Sequence, residues 1–171
     1  MKKLIEQFWS ICLLRTAPQD LPASVTLTAL TVILYMATSF MMAAPQLPLG
    51  SSALAAFIDT LLMSSMSYIM LWARLMPDRW RQTLTALAGS GTLLGAIAIP
   101  LVYWEAQAGG SSQAALMPQM LLLAMLLWNL AVIAHVLRHA LSIAMVLGAL
   151  LSTFYLYISI RIIRTLFFAV S

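Results

Sequence analysis

The chain has 171 residues, of which 63% are hydrophobic and 8% charged, against roughly 25% charged in an average soluble domain. So few charges cannot cover a surface in contact with water, so composition excludes a water-soluble fold and makes lipid the outer solvent. The net charge of +4 comes from Lys and Arg residues scattered between apolar runs, which suits membrane topology and leaves no basic run for nucleic acid.

Leu4, Ile5, Phe8, Trp9, Cys12 and Leu13 fall on one helical stripe, with Lys2, Lys3, Glu6, Gln7 and Ser10 mostly opposite. This periodicity predicts an interfacial amphipathic helix over residues 1–17, lying flat on the cytoplasmic surface, too short and too charged to cross. Met1-Lys2-Lys3 has the charge of a secretory signal, yet Glu6, Gln7, Ser10 and Arg15 interrupt the apolar stretch a signal needs, so the segment is expected to be retained. The single cysteine, Cys12, excludes an intramolecular disulfide and a cysteine-based metal site; it reads as an apolar residue of this helix. Thr16 to Pro22 breaks the helix, with Asp20 placed to cap the next one and Pro22 tolerated in its first turn.

The first span is expected over 21–43. Its Ser24, Thr28, Thr31, Tyr35 and Thr38 recur at spacings of four, three, four and three and so share one face. Small hydroxyl residues allow close helix approach and inter-helix hydrogen bonds, which makes this a candidate packing face; a hydroxyl-lined water path is the alternative. After the uncharged loop Ala44 to Gly50, a second span over 51–72 carries Asp59, the acid placed well inside a span. Eight residues past Ser51 it lies ~12 Å along the helix, where ionisation is costly, and it is a functional candidate by default. Met63, Met66 and Met70 continue its face, but 12 methionines are spread over the chain, and they read as gap-fillers before a soft-metal path.

Arg74, Asp78, Arg79 and Arg81 form the most charged loop, followed by a third span over 83–104 rich in small residues. Gly91 and Gly95 make a GxxxG pair that permits close backbone approach, so this is expected to be the central packed helix, with Pro100 kinking its end. The next loop, Glu105 to Gln113, has no positive charge. From Gln113 to Arg164 the chain is nearly all apolar; as one helix of about 50 residues it would run roughly 75 Å, against the ~30 Å of bilayer hydrocarbon. A turn is therefore expected at the polar knot His135-Val136-Leu137-Arg138-His139, dividing spans over 114–136 and 140–160 and leaving a tail over 165–171. Span four contains Trp128 and Asn129, the latter expected at a different depth from Asp59; span five has Gly148, Ser152, Tyr155 and Ser159 on one face. His135 and His139 have metal-compatible spacing but no nearby acid or cysteine, so they are read as a hydrogen-bonding pair.

The expected fold class is thus all-α: a polytopic membrane protein of five transmembrane helices, residues 21–164, preceded by the interfacial helix. Cytoplasmic loops retain positive charge, and with the N-terminus inside, Lys2, Lys3, Arg15, Arg74, Arg79, Arg81 and Arg138 all fall there as topology anchors. The C-terminus is then outside with Arg161 and Arg164, and Arg161 would lie level with Asp59, where an ion pair would neutralise the acid; the alternatives are Asp59 snorkelling to headgroups or hydrogen bonding to a hydroxyl face.

The amphipathic start Phe8-Trp9-Ser10-Ile11-Cys12-Leu13-Leu14-Arg15, the approach through Pro18 and Pro22, the five spans, and Trp128, His135 and Gly148 in the closing pair resemble the bacterial branch of the Yip1-like membrane proteins. The resemblance implies a helical protein of the bacterial inner membrane that acts through partners or lipids, and it transfers no catalytic residue. No Ser-His-Asp arrangement, phosphate loop or paired carboxylates occur, so no enzyme activity, metal or cofactor is expected. Two functions follow: a scaffold or accessory subunit of a membrane complex, or a small oligomeric transporter or channel subunit using Asp59. The expected partners are the lipid bilayer and other membrane-protein subunits or further copies of the chain, with no nucleic acid.

Overall fold

The computed structural model describes residues 2–109 and 113–167, with the side chains of Lys2 and Lys3 outside the description. The described chain is all-α: α1 (Lys2–Cys12), a 3-10 turn (Pro18–Asp20), α2 (Val25–Ala43), α3 (Leu49–Ala73), a second 3-10 turn (Pro77–Arg79), α4 (Trp80–Gln107), α5 (Gln113–Leu141) and α6 (Met145–Phe167). The five helices α2 to α6 are each long and apolar enough to cross a membrane. Of the expected tail, residues 165–167 continue α6 and 168–171 lie outside the described residues.

Boundaries differ from the expected spans for local reasons. The residue before a proline is pushed to extended backbone, and Leu21, ahead of Pro22, sits at φ −82°, ψ 143°, so α2 cannot start there. It starts at Val25, where Ser24 Oγ accepts from the Leu27 amide at 3.4 Å. Asp20 does not cap α2; its Oδ2 accepts from Ala17 N at 3.1 Å and closes the 3-10 turn. The histidine knot is not a turn either. Nothing in His-Val-Leu-Arg-His breaks a helix, and α5 continues through it to Leu141; the reversal comes at Ser142, in the left-handed region at φ 53°, with Ile143 N donating to Arg138 O at 3.0 Å. At 1.5 Å per residue α5 is roughly 43 Å long, so it extends past the hydrocarbon and the knot sits on its last turns. The helix α4 runs on through Pro100 to Gln107, three residues past the expected span.

Packing neighbours close a ring in the order α2, α4, α5, α6, α3 and back to α2. The α2–α4 seam joins helices that run parallel: Thr28 Oγ1 and Thr85 Oγ1 share a hydrogen bond of 2.8 Å, the Tyr35 ring lies over Gly91, and Thr38 over Gly95. The hydroxyl stripe and the GxxxG pair are thus two sides of one interface. Without a Cβ at Gly91 and Gly95, the larger side chains of α2 lie directly on the α4 backbone. Thr83 through Ser90 are all buried, which makes α4 the most enclosed helix of the ring.

The helix α1 docks against α4 and α5, with Phe8 over Gly89 and Ile11 and Cys12 fully buried. Trp128 Nε1 donates to Cys12 O at 2.8 Å, which satisfies a carbonyl at the C-terminal end of α1, and the Trp9 ring meets the Trp128 ring edge-on at 6.1 Å. Its apolar face is therefore divided: Phe8, Ile11 and Cys12 face protein, while Ile5, Trp9 and Leu13 stay exposed. Burial pushes the Cys12 thiol up to about 11, so at neutral pH it is protonated and a poor nucleophile.

The three connections on the α1 side are tied together. Gln19 Nε2 donates to His139 O (2.7 Å), Gln82 Nε2 to Leu21 O (2.9 Å), and Arg79 to Ala140 O (3.3 Å) and Ser142 Oγ (3.2 Å). Arg15, Arg74, Arg81 and Arg138 stand exposed on this same basic face. Around the ring, side chains such as Ile33, Leu54, Phe57, Leu61, Leu127 and Phe154 are exposed, a surface suited to hydrocarbon.

Where α5 meets α6, Gly148 packs on backbone: a Cβ there would lie 2.6 Å from Ala134 O. Backbone cannot yield as a side-chain tip can, so Gly148→Ala is expected to destabilise the protein by about 1–3 kcal/mol, read as a lowered melting temperature in detergent. Gly50→Ala, with nothing within 4 Å, serves as the control and should leave the melt unchanged or raise it.

Candidate functional site

Asp59 projects from near the middle of α3 into the centre of the ring. Its Oδ2 accepts from the Tyr35 hydroxyl at 2.7 Å and from Ser39 Oγ at 3.2 Å, both on α2. On α6, Ser159 Oγ donates to Oδ1 at 3.1 Å and the Tyr155 hydroxyl to the same atom at 3.5 Å. A carboxylate offers about four lone-pair positions, and here hydroxyls from two flanking helices address all of them.

Placement follows from helical spacing. Tyr35 and Ser39 are one turn apart on α2, as are Tyr155 and Ser159 on α6, so each pair presents two hydroxyls on one side of its helix. Since α3 lies between α2 and α6 in the ring, its single acid meets both pairs. The expected Asp59–Arg161 ion pair is not formed. Arg161 is exposed, and two residues beyond Ser159 it is turned roughly 200° around the helix axis at 3.6 residues per turn. If Ser159 faces Asp59, Arg161 faces away.

Two cavities meet at this carboxylate. The larger, about 400 Å³, extends from Asp59 to the α2–α3 connection, where Gln46 and Leu47 line it. A second, about 150 Å³, extends the other way, past Met63, Met66 and Met70, to Leu137. Tyr35, Asp59, Gly91 and Asn129 line both. The sequence places Asn129 at a different depth from Asp59, yet the two residues line the same two cavities. The methionine stripe fills the wall of the second cavity, and among the described residues no Lys, Arg or His lines either one.

The remaining candidates are placed elsewhere. His135 is buried, with its ring Nε2 3.2 Å from Thr16 O, and its ring meets that of His139 edge-on at 4.6 Å. The pair thus anchors the linker after α1, and no group of three metal-ligating side chains occurs among the described residues. Ser24 caps α2, and Thr31 and Thr38 bond back to carbonyls of their own helix, so of the hydroxyl stripe only Tyr35 reaches the acid. Sequence reasoning missed Ser39, Tyr155, Ser159 and Asn129 as neighbours of Asp59. A signal for two of them was present: an acid inside a membrane needs donors, and Tyr155 and Ser159 already shared a helical face.

No family model, curated protein or solved structure matches this chain.

The assignment of partners separates two substitutions. Tyr35→Phe removes the shortest hydrogen bond to Asp59 and should lower stability by about 1–2 kcal/mol, whereas Arg161→Ala should leave the thermal melt unchanged; unfolding in detergent compares them.

Proposed function

We propose that this chain is a small membrane transporter or channel subunit, without enzymatic activity, whose solute path passes Asp59. The observation that carries the reading is the meeting of two cavities at one intramembrane carboxylate. In membranes, ionisable side chains that face a bundle interior mark solute or ion routes, and pockets at the centre of helix bundles are the common ligand sites. The competing reading, a scaffold or accessory subunit that engages partners through its N-terminal helix, is less well supported. Phe8, Ile11 and Cys12 of α1 are already used inside the chain, which leaves Ile5, Trp9 and Leu13 of its apolar face for a partner or lipid.

Asp59→Asn keeps the side-chain shape and removes the charge. In vesicles reconstituted with purified protein, wild-type chain is expected to give uptake of at least one member of a panel of small cations, anions and neutral solutes, with current where the solute is charged, and the variant to lose it while remaining folded, its melt lowered by no more than a few degrees. Retained currents together with loss of co-purifying subunits would instead favour the scaffold.

The bacterial inner membrane suits the Yip1-like resemblance. Clustering of Arg15, Arg74, Arg79, Arg81 and Arg138 on one face supports a cytoplasmic position for that face, and five crossings then put the end of α6 outside. A phosphatase reporter fused after Ser171 is expected to be active in the periplasm; a cytoplasmic reporter signal at that position would overturn the orientation.

A further inference from the structure

We infer that the Asp59 cavity binds cations that carry no hydrogen-bond donors: quaternary ammonium groups or their phosphonium and sulfonium equivalents, attached to a small apolar body. The inference rests on the reading of Asp59 as part of a solute path and names the class of solute.

Charge sets the sign. Asp59 is the one ionisable acid or base lining the two cavities among the described residues, Tyr aside, so the carboxylate meets no cationic side chain there. Hydroxyl dipoles stabilise a buried carboxylate without cancelling its charge, which makes the site attractive to a cation and repellent to an anion.

Hydrogen bonding sets the kind of cation. A primary ammonium is recognised through N–H donors aimed at acceptor lone pairs. Here Tyr35, Ser39, Ser159 and Tyr155 already address both carboxylate oxygens, so an incoming N–H must displace a hydroxyl and leave it without its partner. A quaternary cation makes no such demand. It needs negative potential and polarizable surface at van der Waals distance, and aromatic rings are the side chains that hold such groups. Tyr35 lines both cavities at the carboxylate; Tyr155 and Met63 line the smaller one and Met125 the larger, so the aromatic surface lies where the two meet.

Size sets the body. A volume of about 400 Å³ falls at the small end of ligand sites, which run from roughly 300 to 1,000 Å³. Its walls toward the α2–α3 connection are Leu94, Ala98, Leu122 and Leu126, with Gln46 as the one polar side chain at that end among the described residues, so they accept an apolar substituent and offer a hydrated inorganic ion few oxygen ligands in exchange for its water.

The test compares benzyltrimethylammonium with benzylamine, which share one apolar body and differ in N–H donors, by isothermal titration on the purified full chain in a maltoside detergent. The quaternary cation is expected to bind about tenfold or more tightly than the primary amine, with Asp59→Asn losing at least that factor. Tyr155→Phe keeps the ring and vacates one acceptor position, so it should narrow the preference severalfold by favouring benzylamine, a readout that a misfolded protein would not give. Equal or tighter binding of benzylamine by the wild-type chain would overturn the inference, as would quaternary binding that is unaffected by Asp59→Asn. Repeating the titration with phosphatidylcholine added separates two sources of the same chemistry: competition identifies a lipid headgroup, and its absence a free solute. Asp59-dependent currents without quaternary binding would leave the transport reading standing and remove this one; binding without currents would do the reverse.

Discussion

A carboxylate inside a helical bundle surrounded by hydrocarbon has to find donors within the protein, and at Asp59 that requirement is met, among the described residues, by hydroxyls. Tyr35 and Ser39 come from α2, Tyr155 and Ser159 from α6. Each donor holds its helix in one rotation and one axial position relative to α3, because a shift of a single residue turns a side chain by about 100°. The acid therefore fastens three of the five helices in register at the point where two cavities meet.

The rest of the ring is held by steric fit. On the α2–α4 seam, Gly91 and Gly95 admit Tyr35 and Thr38, and on the α5–α6 seam Gly148 admits the backbone of Ala134. These close approaches gain dispersion contact in a solvent where apolar burial itself yields little, since lipid tails are as apolar as leucine. At the basic face the chain turns to hydrogen bonds, with Gln19, Gln82 and Arg79 bridging connections that are distant in sequence. Tyr35 belongs to both systems: its ring packs on Gly91 and its hydroxyl reaches Asp59, so the α2–α4 seam and the acid site are mechanically one unit.

Much of this was legible beforehand. Runs of apolar residues long enough to cross a membrane gave five helices, and the periodicity of Ser24, Thr28, Thr31, Tyr35 and Thr38 marked one face of α2 because a helix places side chains by arithmetic. Asp59 stood out because burying a charge in lipid is costly wherever its helix ends up. The errors came where a local pattern had several tertiary solutions. His135 to His139 looked like a turn because polarity interrupts an apolar run there, yet polarity is equally compatible with a helix end that projects past the hydrocarbon, and backbone conformation at Ser142 decided the matter. Arg161 looked like the partner of Asp59 because depth was estimated along the helix and rotation about the axis was not.

By itself, then, the amino-acid order determined what depends on short-range chemistry: the solvent, the number of helices, the face each would bury, and the one acid that needed an explanation. Only the tertiary structure decided which faces meet. The ring order, in which α6 closes against α3 and α2 runs parallel to α4, brings together Tyr35, Asp59, Asn129 and Ser159 from four helices. No periodicity encodes that choice, because every amphipathic face in a membrane offers similar small and hydroxyl residues. The selection is made by the sum of close fits, Gly91 under Tyr35 and Gly148 under Ala134, together with four hydroxyls on a single carboxylate.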